Sequence, residues 1–180
     1  PTIDYEVPTW GNNTNLSMTS IIINVTFTEV NFANLTFILV NSTAEINRTF
    51  VISSSTTLLN FTSLTDDRYS YNVTLTDISG NKAFTLTRFI LLDTVAPNVT
   101  LIYPENDTTF NSVNSFRMLF NVTDANDVAN ATLRVTNPPG DAIKYNFTIS
   151  KVGNQTFEEV TLVNTLHNYY VNVTDYAGNT

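Results

Sequence analysis

The sequence predicts an all-β protein made of two similar β-sandwich domains, and two observations support this. Tyr71, Val73 and Leu75 alternate with amide- and hydroxyl-bearing residues, which is the period-two pattern of a half-buried strand. That strand runs into the turn sequence Asp77-x-x-Gly80-Asn81, in which Asp can form an Asx-turn and Gly can adopt a positive φ. The same strand and turn recur near the end of the chain as Asp175-x-x-Gly178-Asn179. One domain type therefore occurs twice.

Short alternating segments separated by turn residues account for the rest of the first repeat. The predicted strands cover residues 3–7, 21–28, 33–40, 46–52, 57–62, the strand that begins at residue 69, and a return strand over residues 83–92. Phe50 and Phe61 are expected to anchor the core. No segment has a helical period, and seven short strands favour a sandwich.

The duplication sets the predicted domain limits. Pro1-Thr-Ile-Asp-Tyr-Glu-Val-Pro8 matches Pro97-Asn-Val-Thr-Leu-Ile-Tyr-Pro104 at a shift of 96, and the Asp turns match at 98. The domains are expected to span residues 1–96 and 97–180, with 93–97 as a linker. A period just under 100 residues is the usual size of an immunoglobulin-like sandwich. Thr180 aligns with Lys82, so the second sandwich is expected to lack its last strand within this chain.

The only histidine has a structural interpretation. Leu64 and Tyr69 fit the approach to a strand that carries a tyrosine corner. At a shift of 98, His167 falls where Tyr69 stands, so we expect its ring to substitute at this corner.

The motifs resemble a known group of proteins. Tyr-x-Tyr-Asn-Val-Thr-x-Thr-Asp-x-x-Gly-Asn, followed by Asp-Thr-x-Ala-Pro-x-Val-Thr-Leu-x-x-Pro, resembles the tandem immunoglobulin-like repeats of bacterial and archaeal surface proteins. These occur in S-layer proteins, adhesins and extracellular filaments, and the Asn-Val-Thr richness is similar to that of glycosylated archaeal surface chains. The resemblance implies a cell-surface spacer or lattice element. The stalk of an adhesin and a non-catalytic accessory module of a surface enzyme stay open as alternatives.

Composition excludes several functions. With 8 Lys and Arg against 16 Asp and Glu, the net charge of −8 argues against binding to nucleic acid or to anionic membranes. Cysteine is absent, which excludes disulfides and thiol chemistry. No stretch is long enough to span a membrane, so direct membrane insertion is not expected. The sequence contains neither a phosphate loop nor a catalytic motif, and we expect no enzymatic activity. The absence of cysteine fits an extracellular domain that is large enough to do without disulfides. The start at Pro1 suggests a mature or excised segment of a longer chain.

Glycosylation motifs are unusually frequent. The chain has 25 Asn and 30 Thr, and 15 of the Asn begin an Asn-x-Ser/Thr triplet, where shuffling would give about six. Asn is depleted in strands, so a polar sheet face alone does not explain the excess. The predicted N-glycosylation sites are Asn24, Asn34, Asn47, Asn60, Asn72, Asn98, Asn106, Asn121, Asn130, Asn146, Asn154 and Asn172. Asn12, Asn15 and Asn41 complete the set. The strand residues Asn24, Asn34, Asn72, Asn121 and Asn172 are expected to face solvent.

Four aspartates form the only candidate metal site. Asp77, Asp93, Asp124 and Asp127 could gather at the domain junction and bind calcium, which takes six to eight oxygen ligands. The alternative is that they form turns. No other cofactor is expected.

The missing strand predicts a partner. Its absence exposes the edge of the strand from Tyr169 onward, with unpaired backbone groups. Either the parent chain continues and supplies a strand, or a neighbouring chain inserts one by β-augmentation. Other copies of this chain or further repeats of the same parent chain are therefore the expected partners. When the present segment is expressed alone, its second domain should be unstable or self-associating.

Overall fold

The computed structural model describes residues 1–109, 115–137, 141–147, 152–161 and 167–180. These residues form strands, turns and loops and contain no helix, so none that could span a membrane. The chain divides into two compact units, Pro1–Thr94 and Val95–Thr180. The all-β prediction is confirmed.

The first unit is a sandwich of two sheets. Its strands are β1 (Thr2–Glu6), β2 (Thr14–Leu16), β3 (Ile21–Thr28), β4 (Phe32–Val40), β5 (Glu45–Val51), β6 (Leu58–Phe61), β7 (Asp67–Asp77), β8 (Lys82–Phe84) and β9 (Arg88–Leu92). One sheet has the order β1-β3-β6 and the other β2-β9-β7-β4-β5, with β8 also on β7. Only β2 and β9 pair in parallel among the strands of this unit.

Alternation along the strands builds the first core. Tyr69, Tyr71, Val73 and Leu75 of β7 are all buried, and the residues between them are half-buried on the opposite face. They meet the inward residues of β3, β4 and β9 in one cluster. A slip of one residue would turn this whole set outward, so burial specifies the register.

The second unit repeats this plan, with fewer strands among its described residues. It contains β10 (Asn98–Tyr103), β11 (Ser115–Thr123), β12 (Val128–Asn137), β13 (Asp141–Phe147), β14 (Gly153–Thr161) and β15 (Asn168–Asp175). The sheet orders are β10-β11-β14 and β13-β12-β15. Its described core comprises Met118, Phe120, Val122, Val128, Ala131, Leu133, Val135 and Val173. The described residues include no counterpart of β8 and β9, as predicted from the alignment of the repeats.

The two units share a strand register. In the first, Phe32 lies opposite Asp77, and a bulge precedes the pair of Asn34 with Thr76. In the second, Val128 lies opposite Asp175, and a bulge precedes the pair of Asn130 with Thr174. The shifts are 96 on one strand and 98 on the other, the same as in the sequence. A bulge kept at one position in both copies is a shared structural feature of the repeat.

The tyrosine corner is present in the first unit. The Tyr69 hydroxyl donates a hydrogen bond of 2.8 Å to the Thr65 carbonyl, four residues upstream. This is the contact that defines such a corner at the start of a strand. His167 is half-buried directly before β15, and its role at an equivalent corner stays a prediction.

Two predictions about the first unit are wrong. Phe61 is buried, but Phe50 is 63% exposed, because it lies opposite Thr36 on the outer face of β4. Val51, opposite Leu35, points into the core instead. The predicted return strand is interrupted between β8 and β9, where the Thr85 hydroxyl oxygen accepts a hydrogen bond of 2.9 Å from the Val73 N–H.

Candidate functional site

The glycosylation motifs occupy accessible positions. The side chain of every sequon Asn except Asn146 is described. None of these is buried. The exposed ones are Asn12, Asn47, Asn60, Asn98, Asn106, Asn130, Asn154 and Asn172, and the half-buried ones are Asn15, Asn24, Asn34, Asn41, Asn72 and Asn121.

Strand geometry explains this accessibility. Residues i and i+2 of a strand share a face, so the middle residue of each triplet points the other way. The middle residues Leu16, Val25, Leu35, Phe61, Val73, Val122, Ala131 and Val173 are all buried in the two cores. The predicted inward direction of these residues is confirmed.

In the described part of the chain, an internal hydrogen bond is seen in three sequons. The hydroxyls of Thr36, Thr43 and Thr49 donate to the side-chain oxygens of the Asn two residues earlier, at 3.3, 2.9 and 2.7 Å. These Asn are Asn34, Asn41 and Asn47. The bond uses the amide oxygen and not Nδ2, which is the atom that carries an N-glycan. The arrangement therefore orients the carboxamide without blocking its nitrogen.

Asn24 differs from the other strand sequons. Its Nδ2 donates a hydrogen bond of 2.7 Å to the Val7 carbonyl, and its Oδ1 is buried without a hydrogen-bond partner. The Asn24 backbone N–H is also held by the Thr9 hydroxyl at 2.6 Å. Asn24 is half-buried, and modification of its Nδ2 would first have to break the contact with Val7. Asn34, Asn72 and Asn121 are half-buried, and Asn172 is exposed as expected.

The two Asp turns are built alike. Asp77 Oδ1 accepts hydrogen bonds from the N–H groups of Ser79 and Asn81 at 2.8 and 2.9 Å. Its Oδ2 accepts from Asn81 Nδ2 at 2.7 Å. The pKa of Asp77 lies below its ordinary value, and the hydrogen bond from the Asn81 side chain is the largest cause. Gly80 has a φ of +86°, which a residue with a Cβ rarely adopts.

In the second turn, Asp175 accepts from the N–H groups of Gly178 and Asn179 and from Asn179 Nδ2, at 2.7, 2.9 and 2.7 Å. Gly178 has a φ of +95°. These turns explain Asp77 and Asp175 by local structure alone, since both oxygens of each carboxylate are already engaged.

The remaining calcium candidates are Asp93 in the first unit and Asp124 and Asp127 in the second. Asp93 is buried, and its N–H donates to the Leu16 carbonyl at 3.0 Å. Asp124 accepts from the Asn126 N–H at 2.7 Å in an Asx-turn, and Asp127 is exposed. Across the ranges that the structure describes, no three His, Asp or Glu side chains come close enough to hold a metal ion. The calcium hypothesis gains no support from these residues.

A cluster around Tyr5, Tyr71 and Arg88 was not predicted from the sequence. The Tyr5 hydroxyl donates to the Leu86 carbonyl at 2.8 Å, and its ring packs edge-to-face on Tyr71 at 5.7 Å. The Arg88 guanidinium lies 4.1 Å from the centroid of the Tyr5 ring and donates to the Trp10 carbonyl at 2.7 Å. Burial raises the pKa of Tyr5 to about 12. The contact of Arg88 with the Tyr5 ring joins β9 of one sheet to β1 of the other, and a pattern of alternating residues gives no signal for it.

No protein-family model matches the sequence, and no curated protein matches it either. Among solved structures, it is similar to the fibronectin(III)-like modules of Clostridium thermocellum CbhA, at 13% identity over 98% of this chain and 87% of that one, with a TM-score of 0.49. It is also similar to a tetra-tandem repeat from the extending region of a large adhesion protein, at 15% identity and a TM-score of 0.46, over 99% of this chain and 46% of that one. A third similar structure is the FN1–FN3 segment of chicken CNTN1, at 14% identity and a TM-score of 0.45, over 97% of this chain and 63% of that one. The chain itself is a tandem of two immunoglobulin-like β-sandwiches.

Proposed function

We propose that this chain is a non-catalytic structural repeat of a glycosylated extracellular assembly, of the S-layer or filament kind. The observation that carries the proposal is the placement of the sequons. They are in excess over chance, and no described sequon Asn is buried, although many triplets lie within strands whose middle residues form the core. Thr alone would suffice for a polar sheet face, and Asn is depleted in strands, so the frequent Asn need another explanation.

Glycans on these faces would serve an extracellular repeat. Large polar chains on the outer sheet faces would hinder proteases and lateral sheet-to-sheet association. The net charge of −8, without a basic cluster, fits a solvated surface rather than a nucleic-acid partner. The tandem arrangement of two similar units fits a spacer or lattice element, whose length comes from repetition.

Site-resolved glycopeptide mapping of the native protein tests this proposal. We expect occupancy at exposed sequons such as Asn47, Asn60 and Asn172, and little or none at Asn24, whose Nδ2 is bound to Val7. Asn24 and Asn72 are a matched pair, since both are half-buried in Asn-Val-Thr triplets, but Asn72 Nδ2 has only a long contact of 3.4 Å with the Thr87 hydroxyl. Bare Asn at all 15 sequons would contradict the proposal.

A further inference from the structure

The outer face of the larger sheet of the first unit exposes three Phe rings. Phe50, Phe84 and Phe89 are 63%, 65% and 39% exposed, and every other Phe whose side chain is described is buried or half-buried. They belong to β5, β8 and β9. Single exposed apolar residues are common on protein surfaces, so exposure alone indicates no function. What distinguishes these three rings is their position beside two glycosylation motifs.

The first of these sequons lies on β4. Thr36, its hydroxyl residue, is directly opposite Phe50 of β5. Asn34 is on the same face two residues earlier, so it is the diagonal neighbour of Phe50, with Cβ atoms no more than about 7–8 Å apart. The Thr36 hydroxyl donates to Asn34 Oδ1 at 3.3 Å, and this bond does not involve Nδ2. A sugar on Asn34 Nδ2 therefore starts within reach of the Phe50 ring.

The second sequon repeats this arrangement on β7. Thr74 is directly opposite Phe84 of β8, so Asn72 is the diagonal neighbour of that ring. Phe89 of β9 pairs with Ser70, which makes it a diagonal neighbour of Asn72 in the opposite direction along the strand. Asn72 therefore lies between two exposed rings.

The duplicated unit provides a comparison. At the shift of 96, Asn34 corresponds to Asn130 and Phe50 to Asn146. Thr132, the hydroxyl residue of the Asn130 sequon, is directly opposite Asn146. The second unit therefore has the same sequon on the equivalent strand, with an Asn in place of the aromatic residue across from it.

We propose that these Phe rings are stacking sites for the N-glycans that the chain itself carries. The first sugar on Asn34 packs on Phe50, and the first sugar on Asn72 packs on Phe84. One face of a pyranose ring carries mainly C–H groups, so it buries apolar surface on an aromatic ring while its hydroxyls stay in water. The inference rests on the proposed glycosylation, and it assigns two of the glycans a fixed place on the sheet.

The exposed ring face explains why Phe84, and not Phe89, is assigned to Asn72. The Arg68 guanidinium lies 5.3 Å from the centroid of the Phe89 ring, and this ring is 39% exposed. Phe84, at 65%, offers more apolar surface to a sugar.

The test uses a sugar of known structure. The chain is produced in yeast, its glycans are trimmed with endoglycosidase H to a single N-acetylglucosamine, and glycopeptide mapping identifies the occupied sites. If Asn34 or Asn72 is bare, Asn34→Cys or Asn72→Cys alkylated with N-iodoacetylglucosamine supplies the sugar there, because the chain has no other cysteine. NMR of the isotope-labelled sugar then detects stacking, since protons above an aromatic ring shift upfield.

We expect upfield-shifted sugar signals at Asn34 and Asn72, but not at Asn130. Phe50→Leu should abolish the shift at Asn34 alone, and Phe84→Leu should abolish the shift at Asn72 alone. Each variant is thus the matched control for the other.

Stability gives a second readout. Trp10 packs against the first core, so its fluorescence in urea follows unfolding of the first unit. The sugar on Asn72 and the substitution Phe84→Leu form a double-mutant cycle, and a direct contact should couple them by at least about 2-fold in the unfolding equilibrium constant. The sugar on Asn72 and Phe50→Leu should show no coupling.

The inference is overturned if the sugars on Asn34 and Asn72 have the same chemical shifts as the sugar on Asn130, or if the Leu variants leave the shifts and the stability coupling unchanged. Native glycopeptides that are bare at Asn34 and Asn72 but occupied elsewhere would also overturn it, and they would leave the proposed function standing. Bare Asn at all 15 sequons would instead contradict the proposed function itself.

Discussion

Val73 is fully buried at the centre of the first core, and replacing it with Asp should unfold the first unit. The substitution removes the burial of a Val side chain, at about 1.5–3 kcal/mol. It also places an unpaired polar group among Leu35, Phe37 and Ile90, at a further cost of about 2–7 kcal/mol. The sum of at least about 3.5 kcal/mol is a large part of the roughly 5–15 kcal/mol that stabilises a domain.

The single tryptophan reports this loss. Trp10 packs against the first core, so the urea midpoint of its fluorescence measures unfolding of the first unit in the whole chain. The matched control is Asn72→Asp, one residue away on the outer face, which should change the free energy of unfolding by less than about 0.5 kcal/mol. If Val73→Asp left the midpoint unchanged, the register of β7 described here would be wrong.

Two further predictions use the same fluorescence assay. Tyr69→Phe removes the hydrogen bond to the Thr65 carbonyl and should lower the free energy of unfolding of the first unit by about 0.5–1.5 kcal/mol. Tyr176→Phe, at an exposed position, should leave that free energy unchanged. Equal losses of stability in the two variants would argue against a tyrosine corner at Tyr69. The folded pKa of Asp77 lies below its ordinary value, so the turn contributes stability above about pH 3.9 that is lost as the pH falls through the folded pKa. Asp77→Asn should flatten that acid dependence and Asp175→Asn, in the other unit, should not; an unchanged slope in Asp77→Asn would contradict the assigned role.

Alternation in the sequence predicts those elements whose two faces have different surroundings. β3 and β7 have one face on the core, so their buried residues follow the period of two. The Asp turns are local, and their residue types alone indicate the conformation. Because the domain is duplicated, the same pattern occurs twice in the sequence. The shifts of 96 and 98 between the two repeats also separate the corresponding residues of the paired strands.

The elements that were missed depend on contacts between distant segments. β5 is an edge strand, and its apolar residues Ile46 and Phe50 are exposed, so their hydrophobicity does not indicate the core. β2 has three residues and pairs in parallel with β9, which local pattern does not predict. The bond from Asn24 to Val7 and the contact of Arg88 with Tyr5 arise only when β1 lies beside its partners. The same limit explains why the site expectations for Asn24 and for the four aspartates required the structure.

The central claim is that this chain is a repeat of an extracellular assembly, and electron microscopy of the native material tests it most directly. Negative-stain images of the cell surface, with gold-labelled antibody against this chain, should show label distributed along a lattice or a filament. Label confined to isolated stalks, or to dispersed single molecules in the medium, would contradict the claim.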